Sequence, residues 1–313
     1  MAVFQSKIPF TFVVSFVLLC GSCRTTAHLP ADPKGIYGED GRKDVYEANL
    51  SSRARKLADA TAIRVSESGV KLEKDGSFNL LPTTFRDLYK VCADERFASQ
   101  PLVGNCSGFL IGPDLLATAG HCIRDLDFCK SKLWVFGFML DEKDKDLSRA
   151  KAEDVYRCAE IKHLALRNPG VNNMDLAVIR LDRPVQGREP VALNGKEAAP
   201  GDRLLMMGYP TGLPLKVTGD ERTVIRSPEQ DDAGNQFWLS NLDGFVGNSG
   251  SPVFRAHDLS LVGVFVFGDK DFSADGDCRK SIRRGDDEGA GERIVPVSYL
   301  IPVSHAGCCQ GSL

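Results

Sequence analysis

Between Ala60 and Val297 the apolar runs of this chain are short, and most of them end on glycine, proline or aspartate. That punctuation disfavours long helices and favours strands joined by tight turns, so an all-β body is expected. Candidate strands in the first half cover 60–65, 106–111, 115–119, 133–138, 155–163 and 176–181. After a linker over 182–197, the second half offers 203–207, 215–217, 222–226, 236–239, 251–254, 261–267 and 292–297. About six strands in each half suit two packed antiparallel barrels, the first over 58–184 and the second over 185–313. Segments 51–58 and 84–93 read as helices outside that pattern.

One turn carries chemistry. Gly247-Asn248-Ser249-Gly250-Ser251-Pro252 precedes the apolar pair Val253-Phe254. A serine hydroxyl is a weak nucleophile until a base takes its proton and N–H groups receive the charge on the attacked carbonyl. Gly247 permits a turn that a Cβ would obstruct, so that its own N–H and that of Ser249 can face one small hole. Taken alone, such a turn is as readily a hairpin connection. Two other segments alter that balance. The run Leu115–Ala119 leads through Gly120 to His121, where a group that takes and returns a proton near neutrality would sit. The other histidines, His28, His163, His257 and His305, have no comparable setting. Asp175 stands at the mouth of the apolar run Leu176–Leu181, where a buried carboxylate would hold the imidazole in one tautomer.

The stretches Thr118–Cys122, Asp175–Leu181 and Gly247–Phe254 resemble, in this order, the three signature blocks of chymotrypsin-like serine proteases. The resemblance implies a double barrel with its site in the cleft between the barrels. It also implies His121 as general base, Asp175 as its orienting carboxylate, Ser249 as nucleophile, and the N–H groups of Gly247 and Ser249 as oxyanion hole. Asn248-Ser249-Gly250-Ser251-Pro252 is more similar to the bacterial glutamyl endopeptidase (V8-like) branch than to the digestive enzymes. Ile36-Tyr37-Gly38-Glu39-Asp40-Gly41-Arg42 looks like the start of some mature enzymes in that branch. If a propeptide lies within 28–57, cutting near Lys34-Gly35 is the expectation. Asn248 has no charge with which to pair a newly cut N-terminal amine, the ion pair that switches the digestive enzymes on.

In the resembled family the substrate backbone adds to an edge strand, here Val264–Gly268. Phe265 departs from the glutamyl endopeptidases, which place a histidine there to meet the substrate carboxylate. Asp243, six places before Ser249, stands where trypsin-like members read arginine or lysine. On its own residues Asp243 is a turn carboxylate bonded to local backbone. With it, Gly244, Phe265, Val266 and Gly268 make up the expected substrate-binding set.

Lys7 ahead of the apolar stretch Ile8–Leu19, followed by small residues, reads as an export signal over 1–27. The stretch is shorter than the roughly 20 residues that span a bilayer. Gly21-Ser22-Cys23 offers a second route, a lipid-modified cysteine anchored to a membrane, although Cys20 stands where such sites usually carry leucine. Export to a periplasmic or extracellular space makes the eight later cysteines candidates for bridges. Cys106 opens one strand, the Gly112-Pro113-Asp114 turn reverses the chain, and Cys122 ends the return strand, which brings the two together. The resembled family has a bridge in the same place. Cys129 and Cys158 flank an apolar segment and the charged excursion 141–154 and form the second expected pair. Cys92 with Cys278 is left by elimination, unless Cys308 or Cys309 captures either. These spacings match no zinc pattern, and the four carboxylates of Asp269–Asp277 match no calcium loop. No metal and no cofactor is therefore expected.

With 42 acidic and 39 basic side chains interspersed, a net charge of −3 leaves no basic footprint for nucleic acid. The expectation is a secreted, monomeric bacterial serine endopeptidase that cuts protein or peptide substrates through an acyl-enzyme. Two alternatives keep the same scaffold: a non-catalytic binding or adhesion module, and an esterase with the same triad.

Overall fold

Six strands of the first lobe close into a barrel in the order Lys132–Phe136, Val155–Ala165, Leu176–Leu181, Leu115–Thr118, Cys106–Leu110 and Thr61–Ser66. The computed structural model describes residues 35–169, 171–193, 197–268 and 270–305. The export signal over 1–27 with Cys20 and Cys23, and also Lys34, Asp269, Cys308 and Cys309, lie outside the described residues. Strand pairing in the barrel follows the apolar pattern. Leu110 faces Leu116 and Gly108 faces Thr118 across the hairpin, while Ile179 faces Leu116 on the next strand. Phe109, Trp134, Phe136, Tyr156 and Ile179 fill the interior and are almost fully withdrawn from water. Burial of each such large side chain contributes about 1.5–3 kcal/mol. Phe136 and Tyr156 meet edge to face with ring centres 5.5 Å apart.

The second lobe is an eight-stranded sheet curled into a half-barrel. Its order is Ile225–Gln230, Gln236–Ser240, Glu292–Pro296, Leu261–Phe267, Pro252–Arg255, Leu204–Gly208, Lys216–Thr218 and Arg42–Asp44. Six of these strands match the expected ones, and Ile225–Gln230 overlaps the expected 222–226 only at residues 225 and 226. The eighth, Arg42–Asp44, comes from the N-terminal segment and pairs antiparallel with Lys216–Thr218. Its polar sequence hides a buried strand. The Arg42 guanidinium grips Asp40 with two bonds of 2.7 and 2.8 Å and lies 4.1 Å over the Phe245 ring. Lys216 is ion-paired to Asp44 and donates to Gln100 Oε1 at 2.6 Å, with neither charged partner exposed. Together the closed barrel and the curled sheet make a chymotrypsin-like double barrel.

Helix Ser52–Asp59 starts where Ser51 caps it by accepting the Ala54 N–H, and it seats Ala54 and Ala58 against the core. The second expected helix is shorter than 84–93. It runs only over Phe85–Tyr89, because Lys90 turns left-handed at φ 56° and Cys92 is tied to Cys278. All three expected bridges form: Cys106–Cys122, Cys129–Cys158 and Cys92–Cys278, with Cα separations of 6.2, 5.6 and 5.0 Å. Among the described residues no helix is long and apolar enough to cross a membrane.

Candidate active site

The return strand Leu115–Thr118 runs out into a 3₁₀ turn, Gly120–Cys122, which lifts His121 to a half-exposed position. Gly120 is required there. A Cβ at this position would stand 2.1 Å from the Ala165 carbonyl oxygen and 2.9 Å from Asp175 Oδ1. Asp175 is only 2% exposed and uses both oxygens on His121. Oδ2 lies 2.6 Å from the ring Nδ1, and Oδ1 accepts the backbone N–H of His121 at 2.7 Å. A carboxylate only accepts, so Nδ1 carries the proton and Nε2 is left as a base. Below the turn, buried Arg64 donates to the Cys122 carbonyl and, at 2.6 Å, to Asn105 Oδ1. Burial draws its pKa down to about 10, with Arg124 nearby adding to the effect, and this leaves it charged at neutrality. Cys106, His121 and Cys122 have ligand atoms within 4.8 Å of one another, but both sulfurs are spent in the disulfide and offer no thiolate to a metal.

The Ser249 turn is pressed against the same wall. Its carbonyl accepts the Ser107 N–H at 2.8 Å and stands 3.7 Å from Cys122 Sγ. Gly247 and Gly250 both have left-handed backbones, φ 97° and 90°. A Cβ on Gly250 would fall 2.0 Å from the Ser107 carbonyl oxygen, so only glycine allows the turn to dock. Among the described residues the N–H groups of Gly247 and Ser249 donate to no protein acceptor. The carbonyls of their own peptide units are engaged elsewhere: Val246 accepts from the Thr211 N–H and Asn248 from the Ser251 N–H. In a trans peptide the N–H points opposite to the C=O, so both N–H groups are turned away from those partners. Asn248 is buried, and neither atom of its side-chain amide has a hydrogen-bond partner among the described residues.

On the substrate side one expectation is narrowed and one corrected. The strand Leu261–Phe267 is paired on both sides over its first part, by Pro252–Arg255 and Glu292–Pro296, so the expected edge is narrowed to the residues past Phe265. Its pairing toward Ser249 stops early, with Pro252 opposite Val264 and Ser251 and Gly250 bonded to Phe265. Past Phe265 the ladder continues only with Phe267 opposite Arg293. Asp243 binds neither its own turn nor an open pocket. Its oxygens accept the N–H groups of Tyr37 at 2.8 Å and Gly41 at 2.7 Å, so it clamps the N-terminal segment. Burial pushes its pKa up to about 7, against the pull of these two N–H groups and of Arg42.

Phe265 and Val266 are buried. Gly244 and Gly268 face one another across the carboxylate of Glu292: a Cβ on either would come within 2.4 Å of Glu292 Oε2. Sequence reading placed Glu292 only at the start of a strand and gave its buried carboxylate no role. It also missed Ser107, whose hydroxyl donates to the Gly247 carbonyl at 2.8 Å and accepts the Tyr209 N–H at 3.0 Å. Nothing in Cys106-Ser107-Gly108 marks that hydroxyl in advance.

A double barrel of this topology is the fold of chymotrypsin-like peptidases. Within that class, residues 106–264, just over half of the chain, match the family described as the trypsin-like peptidase domain, and the chain belongs to that family. No curated protein matches the chain. Among solved structures, a Glu endopeptidase in complex with MPD is similar at 17% identity and a TM-score of 0.50, covering 87% of this chain and 98% of that one. At that identity the likeness shows the fold alone. The Rv3671c protein of M. tuberculosis H37Rv, in an inactive form, is 12% identical with a TM-score of 0.47 over 89% of this chain and 100% of that one. A serine endoprotease from Yersinia pestis is 14% identical with a TM-score of 0.47 over 84% and 69%.

Proposed function

We propose that this peptidase is an exported serine endopeptidase in which Ser249, His121 and Asp175 form the catalytic triad. The observation that carries the reading is the double engagement of Asp175, which holds both the ring and the backbone of His121 and so aims Nε2 as a base. Ser249 Oγ attacks the carbonyl carbon of the scissile peptide while its proton passes to His121 Nε2. Asp175 stabilises the imidazolium that results. The negative charge on the attacked oxygen is received by the N–H groups of Gly247 and Ser249, which have no protein acceptor of their own among the described residues. Collapse of the tetrahedral intermediate returns the proton to the leaving amine and leaves an acyl-enzyme. Water, deprotonated by the same histidine, then releases the acid. None of these steps needs a cofactor.

Three disulfides support an oxidising compartment, in keeping with the export signal read in the sequence. The turn sequence favours the glutamyl endopeptidase branch, whereas Phe265 in place of its histidine argues against cleavage after glutamate. Purified protein should hydrolyse casein and become covalently labelled by a fluorophosphonate, and Ser249→Ala should do neither while keeping its circular dichroism spectrum. Folded wild-type protein that is neither labelled nor active would favour a binding module. Hydrolysis of esters without peptides would favour an esterase.

A further inference from the structure

We propose that Thr211 is a positioning residue that holds the oxyanion hole open, an inference that rests on the serine-peptidase reading of Ser249. Thr211 is fully buried and has φ 56°, ψ 5°, inside the turn Pro210–Gly212. A β-branched side chain rarely enters this left-handed region, because its Cβ crowds the neighbouring carbonyl. Such strain persists only where the surroundings over-determine it.

The surroundings here come from the first lobe. The Tyr209 hydroxyl donates to the Thr61 carbonyl at 2.9 Å, and the Tyr209 N–H donates to Ser107 Oγ at 3.0 Å. Beyond the strained residue, the Gly212 carbonyl accepts the Val103 N–H at 3.1 Å, and Gly212 lies so close to Gly104 that a Cβ would stand 2.0 Å from the Gly104 carbonyl oxygen. Inside the turn the Thr211 hydroxyl donates to the Pro210 carbonyl at 2.6 Å. The turn is gripped at both ends, and its middle residue is left in the left-handed conformation.

That conformation aims one group. The Thr211 N–H donates to the Val246 carbonyl, and Val246 C=O shares a planar unit with the Gly247 N–H. Gly247 packs directly on the turn: a Cβ on it would stand 2.8 Å from the Thr211 nitrogen and 3.1 Å from that of Gly212. If this peptide rotated by half a turn, the Val246 oxygen would enter the hole and present negative charge where the transition state develops it. The rotation would also strip a buried N–H of its acceptor. Thr211 therefore stabilises the orientation in which the Gly247 N–H faces the substrate. Because its grip comes from the first lobe, the hole of the second lobe is completed only when the two lobes are docked.

The test compares Thr211→Val, which keeps the β-branch and loses the hydroxyl, with Thr211→Gly, which enters the left-handed region freely. With a peptide substrate, Thr211→Val should lower kcat about 10²-fold with KM little changed, the size of effect seen when one oxyanion donor is lost. Affinity for a peptide aldehyde, whose serine adduct carries the oxyanion, should fall by the same factor. Thr211→Gly should exceed Thr211→Val at least tenfold in both measurements. Wild-type kcat in Thr211→Val, a loss confined to KM, or equal loss in both variants would overturn the proposal. Amide hydrogen exchange separates its failure from that of the triad reading. If the wild type turns over no substrate, the triad reading fails, whereas the hold stands or falls on whether the Thr211 amide is protected in the wild type and exposed in Thr211→Val.

Discussion

The two lobes solve the same problem, an exposed sheet edge, by different physics. The first closes its six strands on themselves and staples the wall that bears His121 with Cys106–Cys122. The second never closes. It borrows Arg42–Asp44 from the N-terminal segment and secures that strand with buried charges: Lys216 on Asp44, Arg42 on Asp40, and Asp243 on the N–H groups of Tyr37 and Gly41. Closure needs only apolar pattern and turns, whereas a borrowed strand needs each buried charge matched, since breaking a buried pair leaves an uncompensated ion. The comparison teaches that the half carrying His121 is held by closure and a local disulfide, whereas the half carrying Ser249 adds to its apolar core buried charges and a strand from a distant segment.

Substitutions can break or sharpen this contrast. The largest effect is expected from Ser249→Ala in the second lobe, which should cut kcat about 10⁶-fold. Its thermal midpoint should stay near wild type, and hydrolysis surviving in that variant would remove the second lobe from the chemistry. Asp175→Asn in the first lobe should cost about 10⁴-fold in kcat, since the amide favours the wrong tautomer of His121. Steady-state kinetics on one peptide would compare the two. For stability, Lys216→Met strands Asp44 in the interior and should cost about 3–5 kcal/mol. The chain's two tryptophans fall one in each lobe, Trp134 and Trp238. Denaturation followed in single-tryptophan backgrounds should therefore show the Trp238 transition moving first, and equal shifts would abolish the contrast.

Asp243 adds a pH term of a few kcal/mol. Its pKa is raised from 3.8 to about 7 in the folded state, so folded protein binds the proton more tightly than unfolded protein. The contribution is complete below about pH 4 and is lost as pH rises through about 7. Asp243→Asn, which cannot ionise, should flatten that slope in midpoint-against-pH measurements, and an unchanged slope would count against burial of Asp243 as its source. The smallest effect is expected for the first lobe. Replacing Cys106 and Cys122 by serine opens a closure of 16 residues and should cost roughly 3 kcal/mol, read from the Trp134 transition.

How much of this was legible in the sequence depended on how local the cause was. Leu176–Leu181 and Leu261–Phe267 have the bounds expected of them, because an apolar run between turn residues is decided within the run. Arg42–Asp44 was invisible as a strand. Its partner lies more than 170 residues away, and its inward residues are charged, so no alternation of apolar side chains appears. His121, Asp175 and Ser249 stood out through their flanking small residues and order. The partners of Asp243 did not, since both are backbone N–H groups of a distant segment. Thr211 is harder still: a positive φ is ordinarily signalled by glycine or asparagine, and here tertiary contacts impose it on a residue that disfavours it.

The Cys92–Cys278 bridge spans 186 residues and encloses most of both lobes within one covalent ring. A peptidase is exposed to its own kind, and any single backbone cut between these cysteines leaves the pieces joined. A molecule nicked once in this interval would keep its mass on a non-reducing gel and fall into two fragments only after reduction. For a peptidase, that ring is a form of damage tolerance.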